Sequence, residues 1–228
     1  MSIATENFIK VLYYHSQDPD LDTKPGSIAK ALGTSQAATT DMARKLAGRK
    51  LIEYHPYREL KLTEEGKKEA MNVIRKHRLW ETFLHQTLGI SLHEIHREAE
   101  LLEHQTSDFL AGKISDYLNR PMFDPHGDPI PDEHGKIQPD QKQLQLSRVK
   151  SGQRYQITRL HSSDKEFFDF CRKKHLSVGS VLEVKQQFLN NKMTEVVVKG
   201  HTLLLGESFS RMIYVKPVEK ILRSSARS

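Results

Sequence analysis

Cysteine is almost absent from this chain, and so are long apolar runs. Cys171 is the only cysteine, which excludes a framework of disulfide bonds and makes a reducing cytoplasm the expected location. No apolar stretch approaches the roughly 18–20 residues that a membrane-spanning helix needs, and the first residues lack the pattern of a signal peptide. The sequence therefore predicts a cytoplasmic protein with no membrane partner.

Composition narrows the class of protein further. Hydrophobic residues make up 37% of the chain and charged residues 28%, which is ordinary for a globular protein and excludes disordered and fibrous classes. A length of 228 residues allows one large domain or two to three small ones. The formal net charge of +6 weakly favours a polyanionic partner, because the location of charges matters more than their sum.

The stretch 75–110 concentrates histidine and glutamate at helical spacing. It reads as two helices broken near Gly89, and the first helix carries His77 and Glu81 four residues apart. On the second, four side chains fall within an arc of roughly 100°: His96, Glu100, Glu103 and His104. Beside them runs a mostly apolar stripe formed by Ile95, Ala99, Leu102, Thr106, Phe109 and Leu110. One such pair on a helix is usually solvated and worth about a few tenths of a kcal/mol, but three histidines and three glutamates together predict a divalent-metal site.

The N-terminal third has the outline of a DNA-binding motif. A helix over 3–15 and a loop precede two short helices, 27–32 and 36–47, and Ser35 is a good N-cap for the second. That second helix begins with small and polar residues that suit contacts to base edges: Ser35, Gln36, Ala37, Ala38, Thr39 and Thr40. A hairpin over 51–63 follows and reads as a wing. Cations placed to meet phosphate are Arg44, Lys45, Arg49, Arg58 and Lys61.

The remaining sequence completes a fold that is mainly α with small β parts. A long helix starts at Thr63, and the segment 119–139 holds five prolines, so it is neither a helix nor a central strand. Five short strands between 155 and 215, with a helix over 165–174, suggest a small SH3-like barrel. The expected domains are a winged helix-turn-helix over 1–64, a helical metal-binding domain over 65–140 and the SH3-like domain over 147–222.

At these positions the sequence resembles the diphtheria toxin repressor family of iron- and manganese-dependent regulators. The residues that carry the resemblance are the helix-turn-helix over 27–46, Arg75-Lys-His-Arg-Leu79 with Glu81, the His96–His104 set, the loop 123–131 and the turn 178–180. The resemblance covers nearly the whole chain. It implies the three domains above, a dimerisation role for the helical domain over 65–140, and a homodimer.

The resemblance also implies two groups of metal ligands. The primary group is Glu100, Glu103 and His104 with Asn7 from the first helix, and the ancillary group is His77, Glu81 and His96 with Asp164. Two positions depart from the manganese-sensing branch, because Asn7 is neutral and Lys10 stands where that branch has an acidic residue. Glu100 replaces the sulfur ligand of the iron-sensing branch. Oxygen and imidazole ligands suit Mn²⁺ or Fe²⁺.

The expected function is a metal-activated transcriptional repressor that controls metal homeostasis. The homodimer would bind a palindromic operator in double-stranded DNA, and the protein would not be an enzyme. Two alternatives stay open: a winged-helix regulator that senses no metal, and a carboxylate/histidine metalloenzyme. The second is suggested by Glu100-Leu-Leu-Glu103-His104, a near miss to the metal-binding motif H-x-x-E-H.

Overall fold

The structure is a computed structural model that describes residues 1–56, 58–137 and 143–218. Tyr57 of the predicted wing and the ends of the predicted domains 65–140 and 147–222 lie outside the described residues. The described residues form two compact units. The first falls within Met1–Ile90, Glu94–Asp124 and Pro129–Gln138, and the second within Ser91–His93, Pro125–Asp128 and Pro139–Ser228.

The first unit begins with three helices and a short hairpin. The helices are α1 (Ile3–Gln17), α2 (Pro25–Ala31) and α3 (Gln36–Gly48). Strands β1 (Ile52–Glu53) and β2 (Lys61–Leu62) pair in antiparallel fashion. Apolar side chains of α1, α2, α3 and the hairpin share one core, which includes Phe8, Leu12, Ile28, Leu46 and Leu60. The helix-turn-helix and its wing are therefore packed as one body on α1.

A long helix continues the unit. Helix α4 (Glu64–Leu88) starts after Thr63, whose hydroxyl accepts a hydrogen bond from the backbone N–H of Gly66, and it ends where Gly89 adopts a left-handed conformation at φ 69°. Helices α5 (Leu92–Glu103) and α6 (Asp108–Tyr117) follow. Leu79 of α4 packs with Ala111 and Ile114 of α6 in a small separate core.

The second unit is built on a six-stranded antiparallel sheet. Its strands are β3 (Leu144–Gln145), β4 (Gln153–Leu160), β5 (Val181–Phe188), β6 (Met193–Val198), β7 (His201–Gly206) and β8 (Ile213–Pro217). They lie in the order β3-β8-β4-β5-β6-β7. Helices α7 (Lys165–Lys173) and α8 (Glu207–Met212) complete the unit. Inward-facing residues such as Ile157, Val184 and Val196 pack against Phe167 of α7.

The predicted fold class is confirmed, and the differences are local. The sequence predicts five strands in the second unit, whereas β3 is a sixth and α8 is an additional helix. The stripe predicted along one helix is divided, because α5 ends at Glu103 and Ser107 caps a new helix, α6, that carries Phe109 and Leu110. The predicted boundary at 64/65 lies inside the first unit and stays a prediction. Among the described residues, none of the helices is both long and apolar enough to span a bilayer.

Candidate metal centre and nucleic-acid interface

Helix α4 places His77 and Glu81 on its buried face. Four residues apart on a helix, the two side chains lie one above the other. His77 is 4% exposed and Glu81 3%, and Nε2 of His77 lies 3.1 Å from Oε1 of Glu81. Two ionisable groups this well buried need partners, because an unpaired buried charge is costly. The partners come from α5.

Helix α5 completes a cluster of three possible ligands. Nδ1 of His96 lies 3.2 Å from Oε1 of Glu81 and 3.0 Å from Nε2 of His77. One ligand atom from each of His77, Glu81 and His96 falls within 4.8 Å of the others. Two imidazole nitrogens and a carboxylate oxygen form a donor set that suits divalent transition metals. These three residues therefore fit a metal ion.

The other candidate ligands at the end of α5, Glu100, Glu103 and His104, already contact side chains of the protein. Glu103 is 1% exposed, with Oε2 at 2.5 Å from Nδ1 of His77 and Oε1 at 3.2 Å from Nε2 of His104. Glu100 lies at the edge, where its Oε1 is 3.6 Å from Nε2 of His96. The side chains of His96 and Glu100 are 59% and 50% exposed, so the cluster opens to solvent on this side.

Hydrogen bonds and charge in the cluster shift the pKa values of its buried members. Burial alone would lower the pKa of His77, but the hydrogen bonds to Glu103 and Glu81 raise it to about 9. Burial would raise the pKa of Glu103, yet the hydrogen bond and charge of His77, together with Lys10, hold it below its usual value. Without metal the carboxylates are thus neutralised by an imidazolium and an ammonium. A metal ion has to displace a proton to bind His77.

Helix α1 reaches this cluster through Glu6 and Lys10, and the assignment of Asn7 as a ligand stays a prediction. Oε2 of Glu6 lies 2.6 Å from Nδ1 of His104, so Glu6 is the α1 residue with a direct hydrogen-bond contact to this histidine. Nζ of Lys10 lies 2.6 Å from Oε1 of Glu103 and 3.3 Å from Oε1 of Glu100. The four-residue spacing of Glu6 and Lys10 was the available sequence signal, since it places both on one face of α1.

The remaining metal candidate, Asp164, lies in the second unit. It is the N-cap of α7, where its Oδ1 accepts a hydrogen bond from the backbone N–H of Glu166 at 2.9 Å. An aspartate is a favoured N-cap residue, so this hydrogen bond is a sufficient reason for an aspartate at position 164 even if it binds no metal. Its assignment as a ligand stays a prediction.

The helix-turn-helix presents an exposed N-terminal end of α3. Gly33 has φ 62° in the turn between α2 and α3, and the Ser35 hydroxyl accepts a hydrogen bond from the backbone N–H of Ala38 at 3.2 Å. Ser35, Gln36, Ala37 and Ala38 are all exposed. Backbone and small side chains at this end can approach base edges in a major groove.

Thr39 is the exception among the predicted base contacts. It is 1% exposed, because it shares the inner face of α3 with Ala43 and Leu46 at helical spacing. The expectation that Thr39 contacts DNA is therefore corrected. Thr40 is half-buried, and its hydroxyl donates to the backbone oxygen of Gln36 at 2.8 Å.

The predicted phosphate-binding cations are exposed. Arg44, Lys45 and Arg49 lie on or directly after α3, while Arg58 and Lys61 belong to the hairpin. Arg44 makes a surface ion pair with Asp41 at 3.2 Å. Exposed pairs of this kind contribute little and exchange readily for a phosphate partner. All five side chains are free to meet a polyanion.

Comparison with known proteins agrees with the two units. Residues 63–132 match the family model described as iron dependent repressor, metal binding and dimerisation domain. Residues 144–217 match the model of the FeoA domain. The first match contains six of the clustered side chains: His77, Glu81, His96, Glu100, Glu103 and His104.

Individual relatives and a solved structure are similar to longer stretches of the chain. The transcriptional regulator MntR of Geobacillus kaustophilus is 31% identical over 46% of this chain and 72% of its own length. The diphtheria toxin repressor of Corynebacterium glutamicum is 30% identical over 46% of this chain and 45% of its own. A solved manganese-dependent transcriptional repressor in complex with manganese is 30% identical with a TM-score of 0.86, and the match covers 94% of this chain and all of that one. The chain therefore belongs to the diphtheria toxin repressor family of iron- and manganese-dependent transcriptional regulators.

Proposed function

We propose that this protein is a dimeric transcriptional repressor that binds DNA when a divalent cation such as Mn²⁺ or Fe²⁺ is bound, and that it controls metal homeostasis. The observation that carries the proposal is the convergence of His77, Glu81 and His96 to within 4.8 Å. The same unit holds a helix-turn-helix whose recognition helix has an exposed N-terminal end. The proposed metal site and the proposed DNA-binding motif thus lie in one compact unit.

The residues that would hold the cation are His77, Glu81 and His96, with Glu100 at the open edge. A bound divalent cation supplies positive charge that draws imidazole and carboxylate groups together without any redox change. The donors are nitrogen and oxygen with no sulfur, which favours Mn²⁺ and Fe²⁺ over softer ions. Affinity still tends to rise from Mn²⁺ to Fe²⁺, so availability in the cell decides between them.

The connection to DNA runs through α1. Phe8 and Leu12 of α1 lie in the same core as Ala43 and Leu46 of α3, so the position of α3 follows that of α1. On its other face, Glu6 and Lys10 of α1 contact His104 and Glu103 of the metal cluster. The state of the cluster therefore biases the placement of the recognition helix, and by linkage DNA strengthens metal binding by the same factor.

Two copies of α3 are needed for specific recognition. In a symmetric dimer the recognition helices enter successive major grooves when they are about 34 Å, or a multiple of it, apart. Such a dimer would read a palindromic operator. The base contacts would come from Ser35, Gln36, Ala37 and Ala38, and the phosphate contacts from Arg44, Lys45, Arg49, Arg58 and Lys61.

One observation favours a second candidate, a regulator that needs no metal. The ion pairs of Lys10 with Glu103 and Glu100 already link α1 to α5 through side chains alone. If this link is sufficient to hold α3 in place, the protein would bind DNA in the absence of metal.

An anisotropy titration separates the two candidates. A DNA site is first selected from random duplexes in the presence of Mn²⁺, and its affinity is then measured with Mn²⁺ and with chelator. We expect affinity to fall at least about tenfold in chelator, which corresponds to about 1.4 kcal/mol of coupling. His96→Ala should bind weakly in both conditions, whereas the control His93→Ala on the same helix should behave as wild type.

The contact assignment is tested with the same DNA. Arg49→Ala should reduce the slope of log affinity against log salt by about one and leave sequence preference unchanged. Equal affinity of the wild-type protein in Mn²⁺ and in chelator would contradict metal activation and support the metal-independent regulator.

A further inference from the structure

Lys10 is a buried cation inside the candidate metal centre. It is 6% exposed, and its ammonium lies 2.6 Å from Oε1 of Glu103 and 3.3 Å from Oε1 of Glu100. Both carboxylates belong to the primary group of metal ligands that the family resemblance implies. A lysine is rarely this buried unless it is paired, since removing an ammonium from water is costly. The pair of carboxylates therefore already has its counter-cation.

Both carboxylate oxygens of Glu103 already have partners in this arrangement. Its Oε1 faces Lys10 and Nε2 of His104, and its Oε2 lies 2.5 Å from Nδ1 of His77. The other ring nitrogen of His77 points the opposite way, at 3.1 Å from Glu81 and 3.0 Å from His96. A histidine that ligates a metal commonly donates its second N–H to a carboxylate, which fixes the ring orientation and tautomer. Glu103 stands in that relation to His77.

We propose that Lys10 is a built-in cation that replaces one of two metal ions, so that each protomer binds a single divalent ion at His77, Glu81 and His96. In this arrangement Glu103 is a positioning residue that orients His77, and Lys10 in turn fixes Glu103. The inference rests on the proposed function, because it assumes that the cluster binds metal.

Electrostatics argues against simultaneous occupation. A divalent ion placed between Glu100 and Glu103 would share two carboxylate oxygens with the ammonium of Lys10 only a few ångströms away, and like charges at that distance repel each other. Withdrawal of Lys10 would leave its ammonium to find new partners and break the contact that holds Glu103. Lys10 contacts Glu103 and Glu103 contacts His77, so these two contacts connect α1 to the metal ligand His77.

Metal stoichiometry is the direct test, and it does not depend on DNA. Chelator-treated protein is equilibrated with Mn²⁺, free and bound ions are separated by dialysis, and bound Mn²⁺ is also examined by electron paramagnetic resonance. The wild-type protein should bind about one ion per protomer, with the resolved spectrum of an isolated Mn²⁺. Lys10→Glu removes the cation and adds a ligand, so it should bind about two ions and show the broadened spectrum of a neighbouring pair.

Matched variants keep the result decisive. Lys30→Glu makes the same charge change on the exposed face of α2 and should keep one ion per protomer. Lys10→Gln removes the charge without adding a carboxylate, so it should open a second, weaker site even if Lys10→Glu fails to fold.

The possible outcomes separate this inference from the proposed function. Two ions in the wild-type protein, or a single ion in both Lys10→Glu and Lys10→Gln, would overturn the role of Lys10 while metal sensing stands. No bound ion in the wild-type protein would instead remove the basis of the proposed function.

Discussion

At the scale of single residues, Glu81 joins the two helices of the metal cluster. Its Oε1 lies 3.1 Å from His77 on α4 and 3.2 Å from His96 on α5. Glu81→Gln removes the charge while keeping the shape of the side chain. Even residues that only orient a ligand typically cost 10- to 100-fold in metal affinity, so loss of this ligand should weaken Mn²⁺ binding by about a hundredfold or more.

The control for this prediction lies on α5. Glu98 pairs with Arg97 at 2.8 Å on the outer side of the helix, and Glu98→Gln makes the same chemical change. Isothermal titration with Mn²⁺ should show wild-type affinity for Glu98→Gln. Equal affinities for the two variants would mean that Glu81 does not touch the metal.

Single residues also show where sequence reasoning stopped. His77, Glu81 and His96 were identified from spacing because helical periodicity specifies which side chains share a face. The contribution of Glu6 and Lys10 depends on how α1 packs against the part of the chain that carries Glu100, Glu103 and His104, and no local pattern contains that information. Thr39 was misplaced for a related reason, since a small polar residue suits either an exposed face or a tightly packed one.

At the scale of secondary-structure elements, the start of α4 depends on Gly66. A Cβ at this position would lie 1.9 Å from the backbone oxygen of Leu51 and 3.1 Å from Cδ2 of Leu62, so α4 can approach the hairpin only without a side chain. Gly66→Ala should destabilise the protein by about 1–3 kcal/mol, because the backbone of the hairpin has to move. Urea unfolding measures this change.

A second helical glycine provides the contrast. Gly112 lies inside α6 with nothing within 4 Å of its hypothetical Cβ. Gly112→Ala should therefore stabilise the protein by about 0.5–1 kcal/mol through lower entropy of the unfolded chain. Equal effects of the two substitutions would show that the close approach at Leu51 relaxes freely.

Helices α5 and α6 expose large apolar side chains, and an exposed apolar patch of this kind marks a surface that binds another protein. Phe109 is 76% exposed, Leu101 67% and Tyr117 64%. All three lie within 63–132, the segment that matches the metal-binding and dimerisation model. Phe109→Asp should raise the dissociation constant of the dimer by at least about tenfold, because truncated aromatic anchors commonly cost over 1 kcal/mol at interfaces.

Sedimentation velocity over a range of concentrations measures this effect. Leu189, which is 80% exposed in the second unit, offers a control for the introduced charge. Leu189→Asp should leave the dimer intact. A stable Phe109→Asp dimer would place the interface on another surface.

Element boundaries were predictable where chemistry marks them. Thr63, Gly89 and Ser35 are capping residues, and the helices begin or end beside them as expected. The break between α5 and α6 is not visible in the periodicity, because Phe109 and Leu110 continue the apolar stripe of α5 at helical spacing although Ser107 caps a new helix. Strand β3 and helix α8 are too short for periodicity to reveal, so their formation depends on the sheet that they join.

At the scale of the whole molecule, the positive charge is unevenly distributed. Residues 139–228 hold 17 Lys and Arg against 8 Asp and Glu, whereas residues 1–138 hold 18 against 21. The part that contains the recognition helix is therefore slightly acidic overall. Attraction to DNA there has to come from the local cations of α3 and the hairpin, and the net charge of the chain is a poor guide to the binding site.

The two compact units predict how metal acts on stability. Each has its own hydrophobic core, so thermal unfolding should show two transitions. Metal that binds only the folded first unit stabilises that unit by mass action, by about 2.7 kcal/mol when Mn²⁺ is present at a hundred times its Kd. Calorimetry with Mn²⁺ and with chelator should therefore shift one transition upward by several degrees and leave the other in place. The variant Asp164→Asn tests the predicted ligand in the second unit, because it should change neither the metal-dependent shift nor Mn²⁺ affinity if Asp164 does not touch the metal. If both transitions move with Mn²⁺, and Asp164→Asn cancels the movement of one, Asp164 is a ligand and its carboxylate couples the second unit to the metal.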